Sequence, residues 1–180
     1  MDAKDLLEAL TRGDMRTIGP ADEVAPLVVI DPALFQAVIE AMSASDKGLA
    51  MRSADVAEKA SRLSPGLLQP YKANLLELVS TSAQQEVQWH AIQMIERLEL
   101  DEGDQELAFQ VLERLFNGAQ SRIVKASALH AIMHISMQYS NLSGRADGIL
   151  SEALASPIPS VAARARKLAR ELDRKTRGEG

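Results

Sequence analysis

One spacing, 37 residues, organises most of this 180-residue chain. Residues that open an apolar stripe recur at that interval, and the residue four positions after each of them is always alanine. The opening column is Ala50, Val87, Val124 and Val161, and the alanine column is Ala54, Ala91, Ala128 and Ala165. Stripe positions at offsets 4, 7 and 11 follow one face of an α-helix, so each stripe predicts a helix that buries this face.

A second pair of apolar columns precedes each stripe in the same register. These columns are Val38, Leu75, Leu112 and Ile149, and, four residues later, Met42, Val79, Phe116 and Ala153. Each repeat is therefore predicted to contain a helix A, a short loop and a helix B. Neither helix can bury its stripe alone, so the repeats are expected to stack on one another.

Turn-forming residues place the repeats near 32–63, 65–100, 104–140 and 142–173. Three signals carry these boundaries: cap-plus-proline pairs, a glycine helix stop, and an aspartate expected to cap the third helix A. They are Asp31-Pro32 and Ser64-Pro65, Asn117-Gly118, and Asp104.

Residues 1–31 fit the repeat worst. Residues Lys4–Leu10 predict a helix, but Gly13, Gly19-Pro20 and Pro26 are expected to interrupt the chain after it. We interpret the segment as a degenerate N-terminal cap, because a terminal repeat needs an atypical outer face. Residues 174–180 are expected to form a polar tail.

The helix-pair unit and the Val-x-x-x-Ala motif that opens helix B resemble HEAT repeats, over about 140 of the 180 residues. The resemblance implies an all-α fold: a right-handed α-α superhelix, or short solenoid, of about four helix pairs plus a cap, in a single domain over 1–180. HEAT units often carry an arginine directly after the valine. That position here holds Met51, Gln88, Lys125 and Ala162, so the family's Asp–Arg ladder is not implied.

Composition excludes several chemistries. The chain has no cysteine, which rules out disulfides, cysteine zinc sites and thiol catalysis. No apolar run reaches the roughly 18 residues that a membrane span needs, so we expect a cytoplasmic protein without a membrane partner. The net charge is −5. Most of the chain is acidic, which argues against non-specific binding to nucleic acid. Segment 161–180 is the exception, because it is basic.

No catalytic motif emerges from the sequence. The phosphate-binding loop and the nucleophile elbow are both missing. His130 and His134 share a helical face and could hold a metal, but a zinc protease needs glutamate where Ala131 stands. We therefore expect packing or surface histidines, a non-enzyme, and neither metal nor cofactor.

Candidate partner-binding residues lie on the side of helix B that faces away from its stripe. In the HEAT fold the B helices line the concave surface, so an apolar centre with a charged rim there would suit a protein partner, with Trp89 as its anchor. The candidates are Trp89, Ile92, Glu96, Leu129, His130 and Met133 at the centre, and Arg52, Lys59, Arg166 and Arg170 at the flanks. The alternative interpretation is that Ile92 and Leu129 belong to the core between repeats and that Trp89 leans on a neighbouring helix.

These features favour a non-catalytic interaction module or scaffold that binds a protein or peptide on its concave face. Two alternatives stay open. One is a nucleic-acid-binding or base-excising HEAT-like enzyme that uses the basic C-terminal helix. The other is a structural protein that self-associates into a homo-oligomer through the same apolar face.

Overall fold

The computed structural model describes residues 2–12 and 21–178, and within these ranges the chain forms ten α-helices and no β-strand. The all-α prediction is therefore confirmed. The helices are α1 (Ala3–Thr11), α2 (Ala21–Ile30), α3 (Pro32–Ala41), α4 (Lys47–Leu63), α5 (Lys72–Thr81), α6 (Gln85–Ile95), α7 (Glu102–Gly118), α8 (Arg122–Gln138), α9 (Ser143–Leu154) and α10 (Pro159–Thr176). Short 3-10 segments, Pro65–Tyr71 and Ser140–Leu142, precede α5 and α9. Among the described helices, none combines the length and apolarity that crossing a membrane requires.

Each predicted repeat contains one helix pair: α3 with α4, α5 with α6, α7 with α8, and α9 with α10. We call α3, α5, α7 and α9 the A helices and α4, α6, α8 and α10 the B helices. Both apolar columns of the A helices are buried throughout. The alanine column of the B helices is 0% exposed in all four repeats, as expected where small side chains let helices approach closely. The 37-residue pattern therefore marks the buried core.

The chain divides into two compact units, residues 1–99 and 100–180. In the N-terminal unit, α4 is central and packs against α1, α2, α3 and α6. In the C-terminal unit, α8 is central and packs against α7, α9 and α10. The division falls between the second and third repeats.

Within each unit, side chains make contacts with residues about one repeat length away in the sequence. The separations run from 36 to 39 residues, as stacking of equal helix pairs requires. The pairs are Asp22–Lys59, Lys47–Gln84 and Ser61–Arg97 in the N-terminal unit, and Glu106–Arg145 and Met137–Lys175 in the C-terminal unit.

Pro26 does not interrupt the chain as its sequence predicted. It lies inside α2, and its own side chain is exposed. Ala25 and Val28 beside it are buried, and α2 packs along α4, so tertiary packing outweighs the missing backbone donor of the proline. Gly13 and Gly19-Pro20 lie outside the described residues.

Local capping follows the sequence in part. The Asp31 carboxylate accepts a hydrogen bond from the Ala33 backbone N–H at 2.9 Å and caps α3, whereas the Ser64 side chain caps nothing. The cap of α7 is Asp101, which accepts from the backbone N–H of Asp104 at 2.9 Å. The prediction that Asp104 is the cap was therefore wrong, because the helix starts three residues earlier.

The predicted end of the helix is closer to the observed end in the third repeat than in the fourth. Gly118 is the final residue of α7, as the helix-stop signal predicts. Helix α10 continues to Thr176, beyond the expected end of the fourth repeat at residue 173.

Candidate docking surface on the B helices

Three of the apolar candidate residues are in the core. Ile92 and Leu129 are 0% exposed and Met133 is 1% exposed. The packing interpretation is the right one for Ile92 and Leu129, and it extends to Met133. In the C-terminal unit α8 has helices α7, α9 and α10 around it, which leaves little of its surface open.

Arg52 is also buried, at 3% exposure. Its guanidinium donates to the backbone carbonyls of Leu10 and of Thr11, the latter at 3.2 Å, at the C-terminal end of α1. Carbonyls in the last turn of a helix lack partners within the helix, and a cation is favoured there. Arg52 therefore ties α1 to α4, and the expectation that it flanks an exposed patch is corrected.

Lys59 sits between two carboxylates. Its Nζ lies 2.9 Å from Asp22 Oδ1 on α2 and 3.3 Å from Asp55 Oδ2 on its own helix. Burial lowers the pKa of Lys59, but the hydrogen bonds and charges of Asp22 and Asp55 outweigh this effect and raise it above its ordinary value. The positive charge of Lys59 is therefore balanced by two carboxylates, so this residue is not an isolated positive charge on the surface.

The most unusual side chain of α4 is Glu58, which sequence analysis missed. Its side chain is only 1% exposed and lies between two guanidinium groups. Arg97 Nη2 donates to Glu58 Oε1 at 2.7 Å, and Arg62 Nε donates to the same oxygen at 2.8 Å. Comparison of equivalent repeat positions could have identified Glu58. The same position in the next two repeats holds Ile95 and Ile132, so an acid there marks a polar core position.

Trp89 and His90 form an aromatic pair on the adjacent helix α6. Their rings stack with centroids 4.7 Å apart and planes 13° apart, and Trp89 is partly exposed. His90 Nδ1 and Gln93 Oε1 are buried and find no hydrogen-bond partner among the described residues. These two buried polar atoms without partners, about one turn apart beside an aromatic face, are the least satisfied polar groups of this helix among the described residues.

The electrostatic surroundings of His90 come from α4. Burial lowers the pKa of His90 below its ordinary 6.5, although the nearby carboxylates of Asp55 and Glu58 act in the opposite direction. Arg62 and Lys59 add to the lowering. The imidazole is therefore mostly neutral at pH 7, so one of its ring nitrogens is an acceptor.

We call these residues of the N-terminal unit the α4–α6 surface. It combines an aromatic face, polar atoms without partners and paired charges, which is chemistry suited to recognition. Its members are Asp55, Glu58, Lys59 and Arg62 of α4, Trp89, His90 and Gln93 of α6, and Arg97 in the turn that follows α6.

Most of the other candidates lie in the C-terminal unit. Arg166 and Arg170 are exposed on α10, and Arg170 Nε donates to the Arg166 carbonyl at 3.1 Å. His130 and His134 are partly exposed, with ring centroids 6.3 Å apart. Glu96, in the N-terminal unit, is likewise partly exposed. Across residues 2–12 and 21–178, no three His, Cys, Asp or Glu side chains form a group that could hold a metal ion.

No protein-family model matches this chain, and no curated protein is significantly similar to it. A solved structure that is similar is the crystal structure of an engineered protein from the Northeast Structural Genomics Consortium. The TM-score is 0.58, over 92% of this chain and 78% of the engineered chain, at 16% sequence identity. At that identity the likeness shows the fold alone. The class that fold and packing define is an all-α protein of paired helices.

Proposed function

We propose that this chain is a non-catalytic, HEAT-like interaction module that binds a protein or peptide on its B-helix side. The α4–α6 surface is the docking site, and Trp89 is its anchor. The observation that carries the proposal is the partly exposed Trp89–His90 pair, beside which two buried polar atoms lack hydrogen-bond partners. A right-handed superhelical arrangement of the repeats and a cytoplasmic location belong to the same proposal.

Helix pairs that stack at one repeat length support the family part of this proposal. HEAT-type proteins present the variable positions of their B helices to partners, and here those positions differ strongly between repeats. Variation on a constant scaffold is where a repeat protein carries specificity.

The contacts expected with a bound peptide follow from the aromatic face of this surface and from its polar atoms without partners. An indole face that is already held by stacking loses little entropy when a partner covers it, which is why tryptophan recurs at binding hot spots. His90 Nδ1 and Gln93 Oε1 are buried atoms, so a bound peptide would hydrogen-bond them only after these side chains turn outward. The ion pairs of Lys59 and Arg97 would form a polar rim around the indole.

Trp89 also provides the test, because it is the single tryptophan of the chain and its fluorescence reports on this surface alone. Peptides selected from a random phage-displayed library on the native protein serve as probes. Titration with a selected peptide is expected to shift the Trp89 emission and to protect it from iodide quenching.

Calorimetry with the same peptides on Trp89→Ala completes the test. Loss of a hot-spot anchor of about 2 kcal/mol corresponds to roughly 30-fold weaker binding. Ile123→Ala, which changes an exposed apolar residue of the other unit, is the control and should change affinity less than about twofold. Peptides that bind both variants like the native chain and leave the emission unchanged would overturn the docking site.

A further inference from the structure

A groove of about 360 Å³ lies on the A-helix elements of the N-terminal unit, between α3 and the segment that leads into α5. Its lining is polar and apolar in about equal parts, and we call the apolar side chains Ile39, Leu75 and Leu78 its floor. Ile39 and Leu75 are almost fully buried, so the floor belongs to the core of the unit. None of these residues belongs to the α4–α6 surface.

Two carboxylates border this floor, Glu40 from α3 and Glu77 from α5. They are 37 residues apart and therefore occupy the same position in consecutive repeats. Both are exposed, and neither forms an ion pair with another described residue. Glu40 accepts a single hydrogen bond, from Gln36 Nε2 at 2.8 Å. Two acids that share a groove without a cation favour a positively charged ligand.

The surroundings strengthen the negative potential. Glu40 and Glu77 lie in the C-terminal halves of their helices, where the macrodipole is negative. Residues 1–99 contain 15 Asp and Glu against nine Lys and Arg. The groove therefore lies in the more acidic of the two units.

Tyr71 adds an aromatic wall to the groove. Its ring packs edge-on against Phe35, with centroids 5.6 Å apart, and this contact fixes its orientation. An aromatic ring attracts a cation placed over its face, and a guanidinium stacks on it particularly well. The apolar floor would meanwhile cover the methylene stem of a long cationic side chain.

We infer that this groove binds an arginine side chain presented by an extended peptide segment of a partner protein. The guanidinium lies between Glu40 and Glu77 and against Tyr71, and the stem covers Leu78. A guanidinium suits the site better than an ammonium because it is planar and can donate to two carboxylates at once. A peptide suits it better than a free small molecule because the groove is open, and small-molecule sites bury most of their ligand.

The probe is a short peptide with one arginine between leucines, acetylated and amidated at its ends. Its counterpart carries citrulline, which keeps the shape of arginine and removes the charge. In ¹⁵N–¹H spectra of the whole chain, the arginine peptide is expected to shift the amides of Glu40, Tyr71 and Glu77. Citrulline, or about 0.5 M NaCl, should abolish most of the shift, because salt screens exposed charges.

Glu40→Gln and Glu77→Gln are each expected to weaken the arginine peptide about two- to fivefold, the range of exposed ion pairs, and the double variant about tenfold. Glu152→Gln, an exposed acid of α9, is the matched control and should leave affinity unchanged. Equal binding of arginine and citrulline peptides, or an unaffected double variant, would refute the inference. Free argininamide that binds as tightly as the peptide would refute the peptide as the occupant.

The two docking proposals fail separately. The arginine peptide should leave the emission of Trp89 unchanged, whereas library peptides that dock on the α4–α6 surface should shift it. Glu40→Gln/Glu77→Gln should in turn keep full affinity for those library peptides. A shift of Trp89 emission by the arginine peptide would place its binding on the other surface and overturn the groove.

Discussion

Helices α4 and α8 occupy equivalent places, each at the centre of its unit, yet several of their equivalent positions differ in chemistry. Four positions of α4 that carry polar or charged side chains are apolar in α8. Paired by repeat position, they are Asp55 and Leu129, Glu58 and Ile132, Lys59 and Met133, and Ser61 and Ile135. All four residues of α8 are buried, and so are Glu58 and Ser61.

The neighbouring helices explain how both versions are stable. In the N-terminal unit, α2 supplies Asp22 to Lys59, and the turn after α6 supplies Arg97 to Glu58 and Ser61. A buried charge is tolerated when it is paired and hydrogen-bonded, and an apolar side chain needs only close packing. The same backbone position can therefore hold either chemistry, provided that the adjacent helix matches it.

Introducing a glutamate at the position of α8 that corresponds to Glu58 should cause the largest loss of stability. Ile132→Glu places a carboxylate at a fully buried position where α8 has apolar neighbours, and we expect a loss of at least about 4 kcal/mol in the free energy of unfolding. Hydrogen exchange should show that residues 100–180 lose protection first. Ile132→Val, at about 1 kcal/mol, controls for lost packing. If Ile132→Glu lost no more stability than Ile132→Val, water would have to reach the side chain at this position.

Removing Glu58 from the N-terminal unit should reduce the free energy of unfolding by a somewhat smaller amount. Glu58→Ala removes the common hydrogen-bond partner of Arg62 and Arg97, and because both guanidiniums still reach water we expect a loss of about 2 kcal/mol. Urea unfolding measures this loss. The combined variant Glu58→Ile/Arg97→Leu restores the apolar version of the position and should regain most of the stability. If the double variant is no better than Glu58→Ala, the charge pairing is not what Glu58 contributes.

The smallest expected effect is the pH dependence that His90 gives to the N-terminal unit. Its pKa is lowered in the folded chain, so near and below pH 6.5 the unfolded chain binds more protons, and stability rises with pH. The contribution is complete above the ordinary pKa of 6.5 and is lost as the pH falls toward the lowered value. We therefore expect stability to fall between pH 7 and pH 5 by a small amount.

Urea unfolding of His90→Gln across the same pH range measures this contribution, because glutamine cannot be protonated there. The variant should show a flatter pH profile than the native chain, while His130→Gln should keep the native slope. Identical slopes for His90→Gln and the native chain would assign the pH dependence to the carboxylates of the chain.

Sequence alone determined the repeat and its core. Columns such as Ala54–Ala91–Ala128–Ala165 are buried because a helix must cover its apolar face, and that periodicity is local. The Asp31 cap and the end of α7 at Gly118 also follow from interactions within a few residues. The exposed Arg166 and Arg170 of the last helix agree with the expectation for charged side chains.

Tertiary structure decided which of the remaining faces are open. Leu129 and Met133 have the pattern of a surface patch but are enclosed by three other helices, and Arg52 is buried because α1 ends against α4. The polar burial of Glu58 depends on Arg97, 39 residues later in the chain. Helical periodicity specifies the face that a helix buries against its own repeat, whereas the opposite face is covered or exposed according to which distant helix lies against it.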